Sequence, residues 1–356
     1  MNDSKLFFYL FVFLFFTACS SNDDDTVIEE VEEPDNPTDL VTSNASPEAQ
    51  KVYTFLHENF GKKIISGTVA NVNWNINEAQ WVYTHTGKYP ALNSFDYIHL
   101  YASPANWINY ENTQVVEDWW KNNGLVAAIW HWNVPVSEGS NDYAFYSSST
   151  SFDITKALQE GTYESKVIKA DLDKIANNLL LLKQKNIPVI WRPLHEAAGG
   201  WFWWGAKGGD ACKELWKLMF NTFKAKGLNN LIWVWTSEPS DEAWYPGDEY
   251  VDIIGRDVYN KTAASEMYNE YKTLKERYPN KIVALSECGN VAKISGQWTG
   301  GATWSWFMSW YDYDRTNDIT GSAFEETAHG HANIDYWKDA FANENVISRN
   351  QMPSLK

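Results

Sequence analysis

Ile187-Pro-Val-Ile-Trp-Arg-Pro-Leu-His-Glu196 is an apolar run that closes on a histidine and a glutamate. Its apolar residues follow one another without polar alternation, the pattern of a strand in a parallel sheet covered on both faces. The same pattern recurs along the chain. Strands are predicted at 63–67, 90–95, 125–132, 188–192, 231–235, 252–258, 281–286 and 302–307. Helix-like segments lie between them, among them 49–60, 79–87, 113–123, 165–185, 213–226 and 265–278, with a closing helix at 335–343. Several stop at or before Gly61, Gly87, Gly124, Gly227 or Pro279, residues that commonly end helices. Eight strands with intervening helices over about 300 residues predict an α/β fold, a single (β/α)8 TIM barrel. A doubly wound open sheet is disfavoured, because no GxGxxG or GxxxxGK[ST] run follows the first strand. No linker or internal repeat divides the body.

In such a barrel the active site is built at the C-terminal ends of the strands. Two of those ends carry carboxylates. Glu196 closes the fourth strand, and Glu287 closes the seventh, Lys281-Ile-Val-Ala-Leu-Ser-Glu287. A glutamate closing an apolar run is costly to bury unless paired or hydrogen-bonded, which makes it a functional candidate. The bland alternative, a surface salt bridge, suits a lone glutamate better than this pair. Two carboxylates facing across one barrel mouth match the needs of glycoside hydrolysis: a general acid that later serves as base, and a nucleophile.

Composition points the same way. The 356 residues include 46 Asp and Glu against 29 Lys and Arg, a formal charge of −17. Hydrophobic residues make up 44%, and no uninterrupted apolar run is long enough to span a bilayer, which excludes a disordered chain and a polytopic membrane protein. An acidic surface repels phosphates, so no nucleic-acid partner is expected. The 20 Trp, 19 Tyr and 17 Phe suit flat faces stacked on sugar rings, although many will be core.

The run Trp191-Arg-Pro-Leu-His-Glu-Ala-Ala-Gly-Gly-Trp-Phe-Trp-Trp-Gly205 resembles the signature of glycoside hydrolase family 26, whose best-known members are endo-β-1,4-mannanases. Gly67-Thr68, Trp130-His-Trp132, Arg256-Asp-Val-Tyr259, Leu285-Ser-Glu287 and Trp337-Lys-Asp-Ala-Phe341 are similar too, so the resemblance covers essentially the whole body. It implies a retaining hydrolase with Glu196 as acid/base, Glu287 as nucleophile and β-mannan as the glycan partner. It further implies that His195 hydrogen-bonds the sugar hydroxyl beside the reacting carbon and that Tyr259 donates to Glu287. Trp201 is expected to floor the site and to help desolvate the acid, and His131 to contact substrate. Trp203 and Trp204 suit the same role as Trp201, with at least one of them facing the core. Arg192 either keeps Glu287 deprotonated or supports the barrel mouth. Asp257 either binds a hydroxyl or orients Tyr259. Trp306 and Trp310 are stacking platforms or core. Three functions remain to be separated: a β-1,4-mannanase, the same mechanism on β-xylan or mixed-linkage β-glucan, and a glycan-binding lipoprotein without turnover.

No cofactor and no metal is expected. His329-Gly-His331 is the closest histidine pair and lacks the spacing of a zinc site. Without a Gly-x-Ser-x-Gly elbow, a Ser-His-Asp hydrolase is disfavoured. Cys212 and Cys288 are read as two unpaired, buried thiols, although an oxidising compartment would permit a bridge.

The N-terminus reads as delivery apparatus. Lys5 precedes eleven apolar residues, Leu6 to Phe16, too few to span a bilayer but suited to a signal peptide. Phe16-Thr-Ala-Cys19 resembles a bacterial lipobox, in which the cysteine carries lipid. Residues 20–48 hold ten Asp and Glu and no Lys or Arg, too polar to fold. Without that tail the body carries only about −7. The expected organisation is a signal peptide at 1–18, a lipidated Cys19 with a disordered acidic tether to 46, and a catalytic domain at 47–356. The acidic residues after the cysteine resemble the export signal of surface lipoproteins, so the expected location is the outer membrane, at the cell surface or facing the periplasm. Membrane contact is expected only through the lipid, and a monomer is the default.

Overall fold

The computed structural model describes residues 39–104 and 108–356. The predicted signal peptide, Cys19 and most of the tether lie outside the described residues. Eight parallel strands form a closed barrel: β1 (Ile64–Val69), β2 (Leu92–Asp96), β3 (Leu125–Ile129), β4 (Val189–Arg192), β5 (Leu231–Thr236), β6 (Ile253–Tyr259), β7 (Ile282–Gly289) and β8 (Trp306–Ser309). Each pairs with the next, and β8 returns to β1, with Ile65 opposite Trp306 and Thr68 opposite Ser309. The predicted barrel is therefore the fold that forms. Most strands are buried along their whole length, as expected where helices cover the outside and side chains fill the inside.

The longer helices are α1 (Pro47–Asn59), α2 (Asn77–Thr86), α3 (Gln114–Lys121), α4 (Tyr163–Gln184), α5 (Gly209–Ala225), α6 (Ala264–Arg277), α7 (Ile294–Thr299) and α8 (Ile334–Ala342). Their sequences explain them. In α4, Thr162 caps the N-terminus by accepting from the Ser165 N–H, and Ile168, Leu172, Ile175, Leu179 and Leu182 recur at helical spacing on the buried face. Among the described residues only β5 is followed by short 3-10 turns instead of a helix, at Glu242–Trp244 and Asp248–Tyr250.

Among the boundaries that differ from expectation, two have a clear cause. The last strand, predicted at 302–307, begins at Trp306. The preceding residues turn off α7: the Ala302 N–H donates to Gln297 O, and the Trp304 indole donates to Gln297 Oε1. The packed body also begins before the predicted residue 47. Leu40, Val41 and Thr42 are buried. The Val41 N–H donates to Asp252 Oδ1 (2.8 Å), and the Ser46 N–H to Asn229 O (2.7 Å). Asp252 sits buried just before β6, and a buried carboxylate needs donors; residues 40–46 supply one, so the packed body starts by Leu40.

Core packing absorbs most of the aromatic surplus. Twelve of the twenty tryptophans are less than 2% exposed, so few remain to face a ligand. Cys212 and Cys288 are unpaired and buried, and burial pushes both thiols up to about 12. No helix among the described residues is long and apolar enough to cross a membrane.

Candidate active site

Two local irregularities aim the two predicted glutamates. β4 ends at Arg192 because Pro193 has no N–H to continue the ladder. Leu194 (φ 46°) and Glu196 (φ 52°) then adopt left-handed conformations that side chains rarely accept. Such strain concentrates at functional sites. Glu196 leads into a 3-10 turn, Ala197–Gly199, closed by Gly200 in the left-handed region (φ 72°), which favours glycine. Across the barrel, the β6–β7 register shifts. Arg256 lies opposite Leu285 but Asp257 lies opposite Glu287, which leaves Ser286 as the extra residue of a bulge. A bulge re-aims the side chains after it, and here that side chain is Glu287.

The result is a tight carboxylate cluster. One oxygen from each of Glu196, Asp257 and Glu287 lies within 4.8 Å of the others. Arg192, 2% exposed, bridges two of them through Glu287 Oε2 (2.6 Å) and Asp257 Oδ2 (2.8 Å). Asp257 Oδ1 accepts from the Ser286 hydroxyl (2.7 Å), and Glu287 Oε1 accepts from the Tyr259 hydroxyl (2.5 Å). The spacing of the three carboxylates would admit a cation, but the cation among them is the Arg192 guanidinium. Burial raises both glutamates above the ordinary carboxylate range, and the Asp257 charge raises both further. Arg192 and the Tyr259 hydroxyl pull Glu287 back down. Glu196 is instead raised again by Glu287, with only Arg192 opposing, so it is pushed further. Of the two carboxyls, Glu196 is the one biased toward its protonated form. Tyr259 itself is held far above the usual phenol range by burial and by Glu287, so it remains a donor.

The sequence profile of glycosyl hydrolase family 26 matches residues 41–327. The chain belongs to that family. It is 35% identical over 346 residues to mannan endo-1,4-beta-mannosidase B of Piromyces sp, covering 94% of this chain and 57% of that one. The family-26 chain thus spans little more than half the length of that relative. Among solved structures it is similar to the family-26 domain of an endo-β-mannanase/endo-β-glucanase from Prevotella bryantii, with 38% identity, a TM-score of 0.81, and coverage of 88% of this chain and 99% of that one. A β-mannanase from a symbiotic protist of the termite Reticulitermes speratus, solved with gluco-manno-oligosaccharide, is similar at 36% identity and a TM-score of 0.77, over 89% of this chain and 98% of that one.

Around the carboxylates, the family-26 chain places the remaining predicted residues unevenly. Trp201 is 43% exposed, and its indole N–H donates to Glu196 Oε2 (3.0 Å), so it lies beside the carboxyl with a face open to solvent. Trp310, partly exposed just beyond β8, sits 5.9 Å from the His131 ring. Trp306 is not a platform: within β8 it is 1% exposed, enclosed by neighbouring strands, with no face left for a sugar. Trp203 and Trp204 are also fully buried. Their indoles donate to Trp132 O and His195 O, bracing the two loops that meet there.

Arg192 and Asp257 are also not sugar contacts. Both side chains are at most 2% exposed and bond protein groups, and Asp257 anchors Arg192 and Ser286 rather than Tyr259.

Two histidines complete the centre. His131 Nδ1 lies 2.7 Å from Asp96 Oδ2, and its Nε2 lies 3.2 Å from His195 Nε2. With Nδ1–H donating to Asp96, His131 Nε2 is the acceptor for His195. Burial first, then Arg192, keeps His195 well below the usual histidine range, hence neutral. Among the described residues its Nδ1 has no hydrogen-bond partner. Asp96 and Ser286 were missed by sequence reasoning. Asp96 ends β2 and Ser286 lies within β7, and only a partner from the neighbouring strand, His131 beyond β3 and Asp257 on β6, marks each.

Proposed function

We propose that this chain hydrolyses β-1,4-mannosidic bonds within mannan, glucomannan or galactomannan by double displacement, with the anomeric configuration retained. The observation that carries the reading is the Glu196–Glu287 spacing, with oxygens within 4.8 Å. Retaining enzymes hold this pair about 5–5.5 Å apart, whereas inverting ones leave about 6.5–9.5 Å for a water. The mannanases to which the chain is similar support the choice of sugar.

In the first step a Glu287 oxygen attacks the anomeric carbon while Glu196 donates its proton to the glycosidic oxygen, and the bond between them breaks. Arg192 and Tyr259 keep Glu287 ionised and aimed. Once Glu287 is an ester its charge is gone. One of the influences that raises Glu196 then disappears, and Glu196 becomes acidic enough to act as base. Water, deprotonated by Glu196, attacks the ester and frees the sugar. Trp201 and Trp310 offer stacking faces. Purified mannan, xylan and lichenan, incubated separately with reducing-sugar detection, test the reading. Cleavage of mannan is expected. Cleavage of xylan or lichenan alone, or binding without cleavage, overturns it.

We also propose that Cys19 carries lipid and holds the catalytic body at the outer membrane; the run Leu6–Phe16 and the Phe16-Thr-Ala-Cys19 motif support this. Radiolabelled palmitate fed to cells expressing the full chain should mark it, and should fail to mark Cys19→Ser. Equal labelling of both sinks the idea.

A further inference from the structure

A groove of about 500 Å³ lies on the outer wall of the barrel, between Ile76 at the start of α2 and the exposed side of α3. None of the carboxylates or histidines of the reaction centre lines it. Its upper end is Trp74, which follows β1 and packs on Phe95 of β2 and on Tyr97 just beyond it, with ring centres 5.2 and 5.0 Å away. Its lower end is Tyr89 and Arg349, where the chain enters β2: the Arg349 N–H donates to Tyr89 O (3.0 Å). The groove therefore follows β2 from end to end, about 17–20 Å for such a strand, a shape that suits an extended chain better than a single ring.

Three observations give it a chemical meaning. First, its wall is pre-formed. Trp74 holds φ 53°, a left-handed conformation that bulky residues rarely adopt, and such strain persists only where the surroundings fix it. Here the indole N–H donates to Asn112 O (3.0 Å) and the ring meets Tyr110 edge-on (4.7 Å). The part of Trp74 left uncovered faces the groove, an apolar surface of the kind sugar rings pack on. Second, planar polar groups form the rim. Gln114, Asp118 and Asn122 recur at helical spacing along α3 and its C-cap, and all are exposed. Gln114 Nε2 donates to Asp118 Oδ1 (2.9 Å) and Asn122 Nδ2 to Asp118 O (2.8 Å). These contacts fix the side chains and leave Gln114 Oε1, Asp118 Oδ2 and Asn122 Oδ1 without partners among the described residues, as acceptors for hydroxyls. Third, the lining is electrically balanced. Its charged residues are Arg349 and Asp118, one of each sign. Among the described residues Arg349 makes no ion pair; its guanidinium carbon lies 3.8 Å from the Tyr89 ring centre and 4.5 Å from that of Trp119. Aromatic rings hold this cation, so its N–H fork is not consumed by a carboxylate. A balanced lining suits a neutral glycan, whereas a polyanion needs an excess of positive charge.

We propose that this groove is a second glycan-binding site, which holds a stretch of neutral polysaccharide outside the reaction centre and keeps the protein on its substrate. The proposal takes from the hydrolysis proposed above only the choice of mannan as the glycan. The test uses the full chain carrying Glu287→Ala, to bind without turnover, run in native gels containing glucomannan. Asp118→Ala with Asn122→Ala, both on the surface, removes rim contacts. Arg349→Met keeps an apolar stem against Tyr89 and Trp119 but removes the donors. Each change should weaken retardation by the glycan, raising the apparent Kd about tenfold, the scale of one or two hydrogen bonds. In the active chain the same changes should lower the rate on insoluble mannan more than on mannotetraose, which is short enough to need only the reaction centre. Retardation indifferent to all the substitutions, equal losses on both substrates, or equal retardation by the polyanion polygalacturonate overturns the site. A chain retarded through the groove that cleaves neither substrate overturns the hydrolase reading and leaves the site standing. Cleavage of both with unaltered retardation overturns the site alone.

Discussion

Glu287→Ala should lower kcat by at least about 10⁴-fold, the scale on which removal of a catalytic nucleophile is felt. The variant should still fold. Arg192 keeps Asp257 as a partner, and the strand ladder of β7 does not involve the lost side chain. The space vacated lies between the Arg192 guanidinium and the Tyr259 hydroxyl, which hold the carboxylate in the intact protein. A small anion suits that space. Azide supplied to Glu287→Ala with an activated aryl β-mannoside should therefore restore part of the rate by attacking from the face that Glu287 occupied. The product should be the α-configured glycosyl azide, because that face lies opposite the departing group. Product configuration by NMR is the check. A β-azide, or a variant retaining more than a hundredth of the wild-type rate, would sink the assignment of Glu287.

Arg192→Met tests the electrostatics of the same cluster. Arg192 contacts Asp257, Glu287 and the Thr236 hydroxyl, and is 2% exposed. Removing it leaves two carboxylates buried without their counterion, a change that costs about 3–5 kcal/mol. The pH dependence carries the sign. Arg192 lowers Glu287, so its loss raises that carboxyl still further above its unfolded value. The folded variant then holds protons that the unfolded chain has released. Its stability falls as pH rises from the ordinary carboxylate range through the raised value. The melting-temperature deficit against wild type should be larger on the alkaline side of that window than below it. Activity needs Glu287 ionised, so the acid limb of kcat/KM should move to higher pH. Thermal melts at acid and mildly alkaline pH, with pH–rate profiles of both proteins, decide the matter. Superposable acid limbs would show that Arg192 only props the barrel mouth.

Local pattern was enough for the barrel. Strands such as 231–236 are apolar throughout because helices cover them from outside and other side chains from inside, and that double coverage leaves a mark on consecutive residues. It was also enough to single out Glu196 and Glu287, because a carboxylate at the end of an apolar run contradicts its surroundings. It did not reach the partners. Arg192 finds Glu287 95 residues away, and His131 finds Asp96 at a distance of 35; no periodicity records such pairings. Trp306 and Trp310 look alike as letters, yet barrel closure onto β1 encloses one while the other emerges past the strand end. Residues 40–46 read as solvated chain on composition, and pack because Asp252 and Asn229 offer them hydrogen bonds. Backbone conformation is written in short-range sequence because it depends on neighbours one to four positions away. The charge balance of the centre arises only when separate strand ends are brought together, so only the folded chain determines it.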